Sequence, residues 1–435
     1  MKLIDLQEKV VTKNNIHFHI IPTKKFKTVN FVMKCKAPLD RSTITKRALL
    51  PFILQKGTTS YPSEKELMNR LDELYGASLY IEGAKKGNNH IISFRLEVAN
   101  ENYLPTETPI LQQAISLFQE IIFSPRIENS RFIETVVERE KQTLENKIKA
   151  IFDNKLVYAN NRLIEEMCNN ERFQIHKDGY IEDLPKINGQ NLFEYYQQLL
   201  KEDRMDLYVL GDFDIKNMEN LLIDSFSRES EQPELTNTVN ETPTITELKE
   251  VKETQPVQQA KLHIGYRTNC TYKDDDYFAL QVFNGIFGGF PSSKLFVNVR
   301  EKHSLAYYAA SRIESHKGLL IVYSGIAPED EKKAREIIDL QLEAMKKGDF
   351  TEVQVNSTKE LIISELKETL DSSYGIPELL YQQVIGEKEV PPHQYMERIN
   401  KVTKEDVVKI ANKITPDTVF LLTNDGSEKV ETSSV

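Results

Sequence analysis

A polar stretch near the middle of the chain, ESEQPELTNTVNETPTIT from Glu229 to Thr246, separates two halves whose hydrophobic patterns run in the same order. The stretch holds two prolines and no apolar period, the composition of an exposed linker. Before it, IHFHII and VNFVMKC alternate with period two and predict strands. Helical patterns follow at 44–55 and 63–74, and strand alternation returns in SLYIEGA and HIISFRLEV. After it, AKLHIGYRT leads into helical DDYFALQVFNGIF and SSKLFVNVRE, then strand-like LAYYAASRI and GLLIVYSGI. Long helical patterns come next in both halves, PILQQAISLFQEII and KKAREIIDLQLEAMKK. Both halves also close alike: Asn191–Asp214 and Asp406–Gly426 each read as helix, polar turn, apolar strand and acidic turn. A unit of about 200 residues is too long for a solenoid repeat and predicts a duplicated α+β domain. Strands beside strands, with helices following in runs, predict a mostly antiparallel sheet in each half, covered by helices on one face, the two halves forming a clamshell. The expected domains are 1–228 and 247–435, joined by a linker at 229–246.

At 435 residues the chain is too long for one hydrophobic core, and 40% hydrophobic with 28% charged residues is ordinary for a soluble globular protein. No apolar run approaches the roughly 18 residues that cross a bilayer. Asp5, Glu8 and Lys9 interrupt the N-terminal apolar residues, so neither a secretory core nor an Arg-rich transit helix is present, and a cytoplasmic location without membrane attachment is expected. Cys35, Cys168 and Cys270 are far apart and odd in number, which fits neither a disulfide framework nor a metal knuckle. A formal charge of -10 argues against nucleic acid as the main partner.

Two stretches carry the functional reading. The first, TKRALLPFILQKGTTSYPSEKELMNRLDELYGASL (Thr45–Leu79), pairs two amphipathic helices around Lys56-Gly57-Thr58 but contains no metal ligand between them. The nearest histidines are His17 and His19, two apart and therefore on one side of a strand, and His90; lone strand histidines are usually structural or solvent-facing. The second, FGGFPSSKLFVNVREKHSLAYY, has Gly288 and Gly289 for a sharp turn or close approach and Ser292 or Ser293 to cap the helix leading to Arg300. By spacing alone, Arg300 reads as a solvated helix-end residue and Tyr307 as a strand residue packed in the core.

Taken with LQKGTTSYPSEKEL, VEREKQTLEN and LYVLGDFD, all in one order along nearly the whole chain, these stretches make the protein resemble the pitrilysin/insulinase family of zinc peptidases. The likeness is greatest to the two-domain subunits related to mitochondrial processing peptidase. Active members of that family carry His-x-x-Glu-His before the Lys-Gly-Thr, two imidazoles for zinc and a glutamate to activate water. The resemblance puts Ala48, Pro51 and Phe52 at those positions, an apolar pair four apart with a proline between that should kink or shorten the helix. It also puts Glu138 at the third ligand position and Glu145 at a second acid seven residues on, both retained, although a Glu- and Lys-rich surface helix gives the same residues by composition. Arg300 and Tyr307, with Tyr308 adjacent, match the family's substrate-binding pair: a guanidinium fork for substrate carbonyls and a phenol for the oxyanion of a tetrahedral intermediate.

What the resemblance implies is a chain that has lost the metal half of a site and kept the substrate-holding half. The expectation is a non-catalytic subunit with no cofactor of its own, partnered by a homologous zinc-bearing subunit that cleaves peptides or unfolded proteins. The alternative is a structural or binding scaffold, as in the core subunits of the respiratory cytochrome bc complex, or an accessory factor for modification of another protein.

Overall fold

The computed structural model describes residues 6–105, 108–228 and 247–425; the expected linker at 229–246 lies outside the described residues. In the first half, β1 (Lys9–Lys13), β2 (Ile16–Pro22), β3 (Thr28–Pro38), β4 (Ser78–Lys86), β5 (Asn89–Ala99) and β6 (Arg204–Gly211) form a sheet in the order β1-β2-β6-β3-β5-β4. In the second, β7 (Lys249–Thr254), β8 (Ala260–Arg267), β9 (Ala306–Glu314), β10 (Leu319–Ile326) and β11 (Thr415–Thr423) follow the order β7-β11-β8-β10-β9. Without the edge strand β1 the two orders are the same, and each sheet has one parallel pair at the same place, β2 with β6 and β7 with β11. The duplication read from the sequence is therefore a duplication of topology, with β6 and β11 as the equivalent closing strands.

The first half carries helices α1 (Ile44–Leu54), α2 (Glu64–Glu73), α3 (Ile110–Phe123), α4 (Glu134–Asp153), α5 (Lys155–Met167), α6 (Gly189–Glu202) and α7 (Ile215–Ser225). The second carries α8 (Tyr277–Asn284), α9 (Glu331–Lys346), α10 (Glu352–Leu370), α11 (Gly375–Gly386), α12 (Pro392–Lys401) and α13 (Lys404–Ala411). Side-chain caps start several of them: Ser63 accepts from the Glu66 N–H, and capping boxes at Asn188, Thr351 and Thr403 open α6, α10 and α13. Each half's main core lies between its sheet and its own helices, around Phe31, Phe118 and Phe226 in the first and Ile264, Phe283 and Leu320 in the second.

The other face of each sheet is covered by a helix lent from the opposite half. Ile376, Leu380 and Tyr381 of α11 pack on Val32, Ile91, Tyr208 and Leu210 of the first sheet. Leu163, Ile164 and Met167 of α5 pack on Leu319, Ile321, Phe420 and Leu422 of the second. This exchange explains why β3 is buried along nearly its whole length instead of alternating. Ion pairs pin both docks: Arg267 meets Glu171 at 2.6 Å and Asp417 at 2.7 Å, and Glu378 of α11 takes Lys34 of β3 and, at 2.9 Å, Lys86.

Burial by itself raises the Glu378 carboxyl, but Lys34 and Lys86 bring it down from 4.5 to about 2. A depressed carboxyl contributes stability above its unfolded value and loses it as pH falls toward the folded one. Burial pushes Lys34 down despite Glu378, so desolvation of the lysine takes back part of the gain. Glu378→Gln is accordingly expected to lower the urea midpoint at neutral pH, with the gap to the parent chain closing between about pH 5 and pH 2. A gap independent of pH would show that the carboxylate charge does not hold α11 in place.

Candidate functional site

Helix α1 holds the positions where the resemblance places metal ligands. Ala48 is 6% exposed and belongs to the first core, and Phe52 packs against its edge. Lys147 of α4 stands 5.6 Å over the Phe52 ring and pairs with Asp178 at 2.7 Å. Pro51 removes one helical N–H, yet the helix continues to Leu54. Gln55 then folds back, donating to the Pro51 carbonyl at 2.7 Å and to Ile81 of β4 at 3.3 Å. Glu138 is exposed and bonded to Lys141 at 2.7 Å, while Glu145 pairs with Lys149 one turn on. Both carboxylates are thus engaged by lysines of their own helix. A methyl, a pyrrolidine ring and a phenyl offer zinc no donor, so the residues at these positions do not fit the ion. Among the described residues no group of three or more His, Cys, Asp or Glu is placed to hold a metal.

One residue of this helix escaped the sequence reading. Arg47 is 2% exposed, forms an ion pair with Asp203, and donates to the Cys35 carbonyl at 2.8 Å and to His90 Nδ1 at 3.1 Å. Accepting at Nδ1 leaves His90 to donate from Nε2 to the Lys177 carbonyl at 3.1 Å. Burial, with Arg47 beside it, drops the ring to about 3, so His90 is a neutral bridge. The available signal was an arginine in the apolar run RALLPFIL, but nothing local names its partner. Among the other strand histidines, His19 is buried between Glu8 at 2.6 Å and Asp206 at 3.3 Å and stacks on Tyr208, while His17 bonds Thr12 at 2.9 Å. All three cysteines are buried and free.

The second stretch is built differently. α8 runs on into a π-helical turn, Gly285–Gly289, and a second π-helical segment, Phe296–Lys302, carries Arg300. Gly288 and Gly289 do not adopt positive φ; at Gly288 a Cβ would sit 2.8 Å from the Ser311 nitrogen, so close approach to β9 and not a sharp turn demands glycine. The Ser293 hydroxyl accepts from the Phe296 N–H at 3.4 Å, capping the turn that leads to Arg300. The Arg300 carbonyl takes the Ser304 N–H at 3.1 Å, fixing the step into β9. Arg300 itself is exposed, its guanidinium 4.7 Å from the Phe296 ring.

Among the described residues β9 is one of the two edge strands of the second sheet, the other being β7. Its register against β10 shifts between Gly325, which faces Tyr308, and Ile326, which faces Ala306, so Tyr307 is the unpaired extra residue of a β-bulge. It is 72% exposed. The spacing-based expectation of a core tyrosine is therefore corrected: the bulge turns the ring outward. Tyr308 instead lies against the sheet with Lys261 5.5 Å from its ring centroid. The arrangement offers a guanidinium and a phenol to solvent on a rigid edge, and the chemistry available to them is hydrogen-bond donation.

Two halves of like topology, the first with packing side chains where the resemblance places metal ligands, make up the frame. The chain belongs to the M16 peptidase family, the pitrilysin/insulinase family of its motifs, and is a non-catalytic member of it. A family profile described as "Peptidase M16 inactive domain" matches residues 186–362. The probable inactive metalloprotease YmfF of Bacillus subtilis (strain 168) is 47% identical over 404 residues, covering 93% of this chain and 95% of that protein. The same strain's uncharacterized zinc protease YmxG is 26% identical over 255 residues, covering 56% of this chain and 59% of its own length. A conserved protein from Enterococcus faecalis V583 has a solved structure with a TM-score of 0.90 at 33% identity, covering 97% of this chain and 99% of that one.

Proposed function

We propose that the chain is the non-catalytic subunit of a two-chain zinc peptidase. It would lend Arg300 and Tyr307 to an active site whose zinc is held by a homologous partner. The observation that carries this reading is the bulged, solvent-facing Tyr307 on an edge strand of its sheet. A structural tyrosine gains nothing from exposure, whereas a bulge that re-aims a side chain is common beside active sites. An extended peptide or unfolded segment adds to β9 as a further strand, and main-chain hydrogen bonds place its carbonyls near the guanidinium and phenol. A second observation favours pairing: Bacillus subtilis (strain 168) holds both an inactive relative and a relative named a zinc protease. The chain itself needs no cofactor in this scheme, and the pair works in the cytoplasm without nucleic acid or membrane.

The test is to co-express the chain with a homologue from the same cell that has an intact His-x-x-Glu-His. Sedimentation should show a complex of the two chains, metal analysis should assign zinc to the homologue, and peptide cleavage should need both. A chain that sediments alone in the presence of every such homologue would leave the scaffold reading in its place.

A further inference from the structure

The second half contains a cavity of about 260 Å³ between α8, α10, α11 and α12, away from the bulge that carries Tyr307. It is smaller than the ~300–1,000 Å³ of ordinary small-molecule pockets and suits one extended side chain. Tyr272, Tyr277 and Tyr395 form its aromatic wall, the first two with ring centroids 4.9 Å apart. The π-helical turn after α8 shapes the opposite side through Gly285 and Gly289; a Cβ at Gly285 would meet Thr358 at 2.4 Å. Such turns interrupt a helix at a cost and are frequent at functional sites.

The charges are one-sided. Glu365 lies in the cavity lining, which contains no Lys, Arg or His. Glu365 is solvent-exposed at the cavity mouth, and what burial it has, followed by the neighbouring Glu368 carboxylate, raises its carboxyl. Arg398 of α12, outside the lining, is engaged by Asp275 at 3.8 Å and by the Phe278 ring. Tyrosine faces attract cations through the ring quadrupole, so a cavity lined by three such rings and one carboxylate, with no cation of its own, suits a positive charge.

We propose that this cavity binds an organic cation, the ammonium or guanidinium of a lysine or arginine side chain or of a free alkylamine, with Glu365 as its counter-charge. The inference stands apart from the pairing scheme, because none of these residues is Arg300 or Tyr307.

The experiment titrates the full chain with n-butylammonium and n-butylguanidinium, and with blocked tripeptides whose central residue is Lys, Arg or norleucine, by calorimetry. Saturable binding is expected for the cations and not for norleucine, with Glu365→Gln weakening it roughly tenfold or more, the scale of a lost charge-assisted contact. Tyr395→Phe, which keeps the ring, should retain most of the affinity. Tighter binding of the Lys or Arg peptide assigns the site to a side chain of a polypeptide; binding of the free amine alone assigns it to a small amine. Absence of saturation up to about 10 mM, equal binding of norleucine, or unchanged affinity in Glu365→Gln would overturn the proposal.

Discussion

Asp203→Ala is expected to destabilise the first half by about 3–5 kcal/mol, the cost of stranding one partner of a buried ion pair. The Asp203 and Arg47 side chains are 4% and 2% exposed, so water cannot replace the lost carboxylate. Arg47 keeps its bonds to the Cys35 carbonyl and His90, but these are neutral groups that cannot balance its charge. His90 cannot adapt either, since it is already used as an acceptor. Because α1 is tied to β3, β5 and the end of α6 through this one side chain, the loss should be cooperative and should free the whole frame that holds Ala48, Pro51 and Phe52. The measurement is urea unfolding, with hydrogen exchange at α1 as the local readout. The double variant Arg47→Met, Asp203→Leu should recover much of the stability, because apolar pairs of similar volume often replace buried ion pairs at little cost. A loss below about 1 kcal/mol in the single variant would mean the pair is solvated, contrary to its burial.

The second large effect is kinetic. If Tyr307 donates to the oxyanion in the partner's site, Tyr307→Phe in the reconstituted pair should lower turnover by about 100- to 1,000-fold, or ~2.7–4 kcal/mol. The ring is 72% exposed and the substitution deletes only a hydroxyl, so folding should be unchanged within about 0.5 kcal/mol. Arg300→Ala should raise apparent KM more than it lowers kcat if the guanidinium already grips the peptide in the ground state. Equal thermal stability and equal association with the partner must be confirmed for each variant before rates are compared. Full activity in both would remove the divided site and favour a scaffold that only borrows the peptidase frame.

Most strands of both halves, and the likeness of their order, follow from local apolar periods, whereas the edge strands β1 and β7 and helices α5, α11 and α12 carry no such reading; in the sheets, β7-β11-β8-β10-β9 repeats β2-β6-β3-β5-β4. The change at Ala48, Pro51 and Phe52 was legible through the family resemblance, which counts back from Lys56-Gly57-Thr58 to the positions where active members carry His-x-x-Glu-His. Burial of β3 on both faces was not, because its cover comes from α11, hundreds of residues later. Arg47 was visible as a charge in an apolar run, but Asp203 lies 156 positions away and only folding joins them.

Tyr307 shows the division within one residue. Alternation along β9 predicts an inward ring, and a single-residue slip against β10 reverses it, because side chains change face with every residue of register. The sequence by itself determined the duplication, a pattern of local apolar periods written twice, and through its family resemblance pointed to side chains without metal donors at Ala48, Pro51 and Phe52. Only the tertiary structure decided which half covers which sheet, what neutralises Arg47 and which way Tyr307 points, because each depends on how distant strands and helices meet.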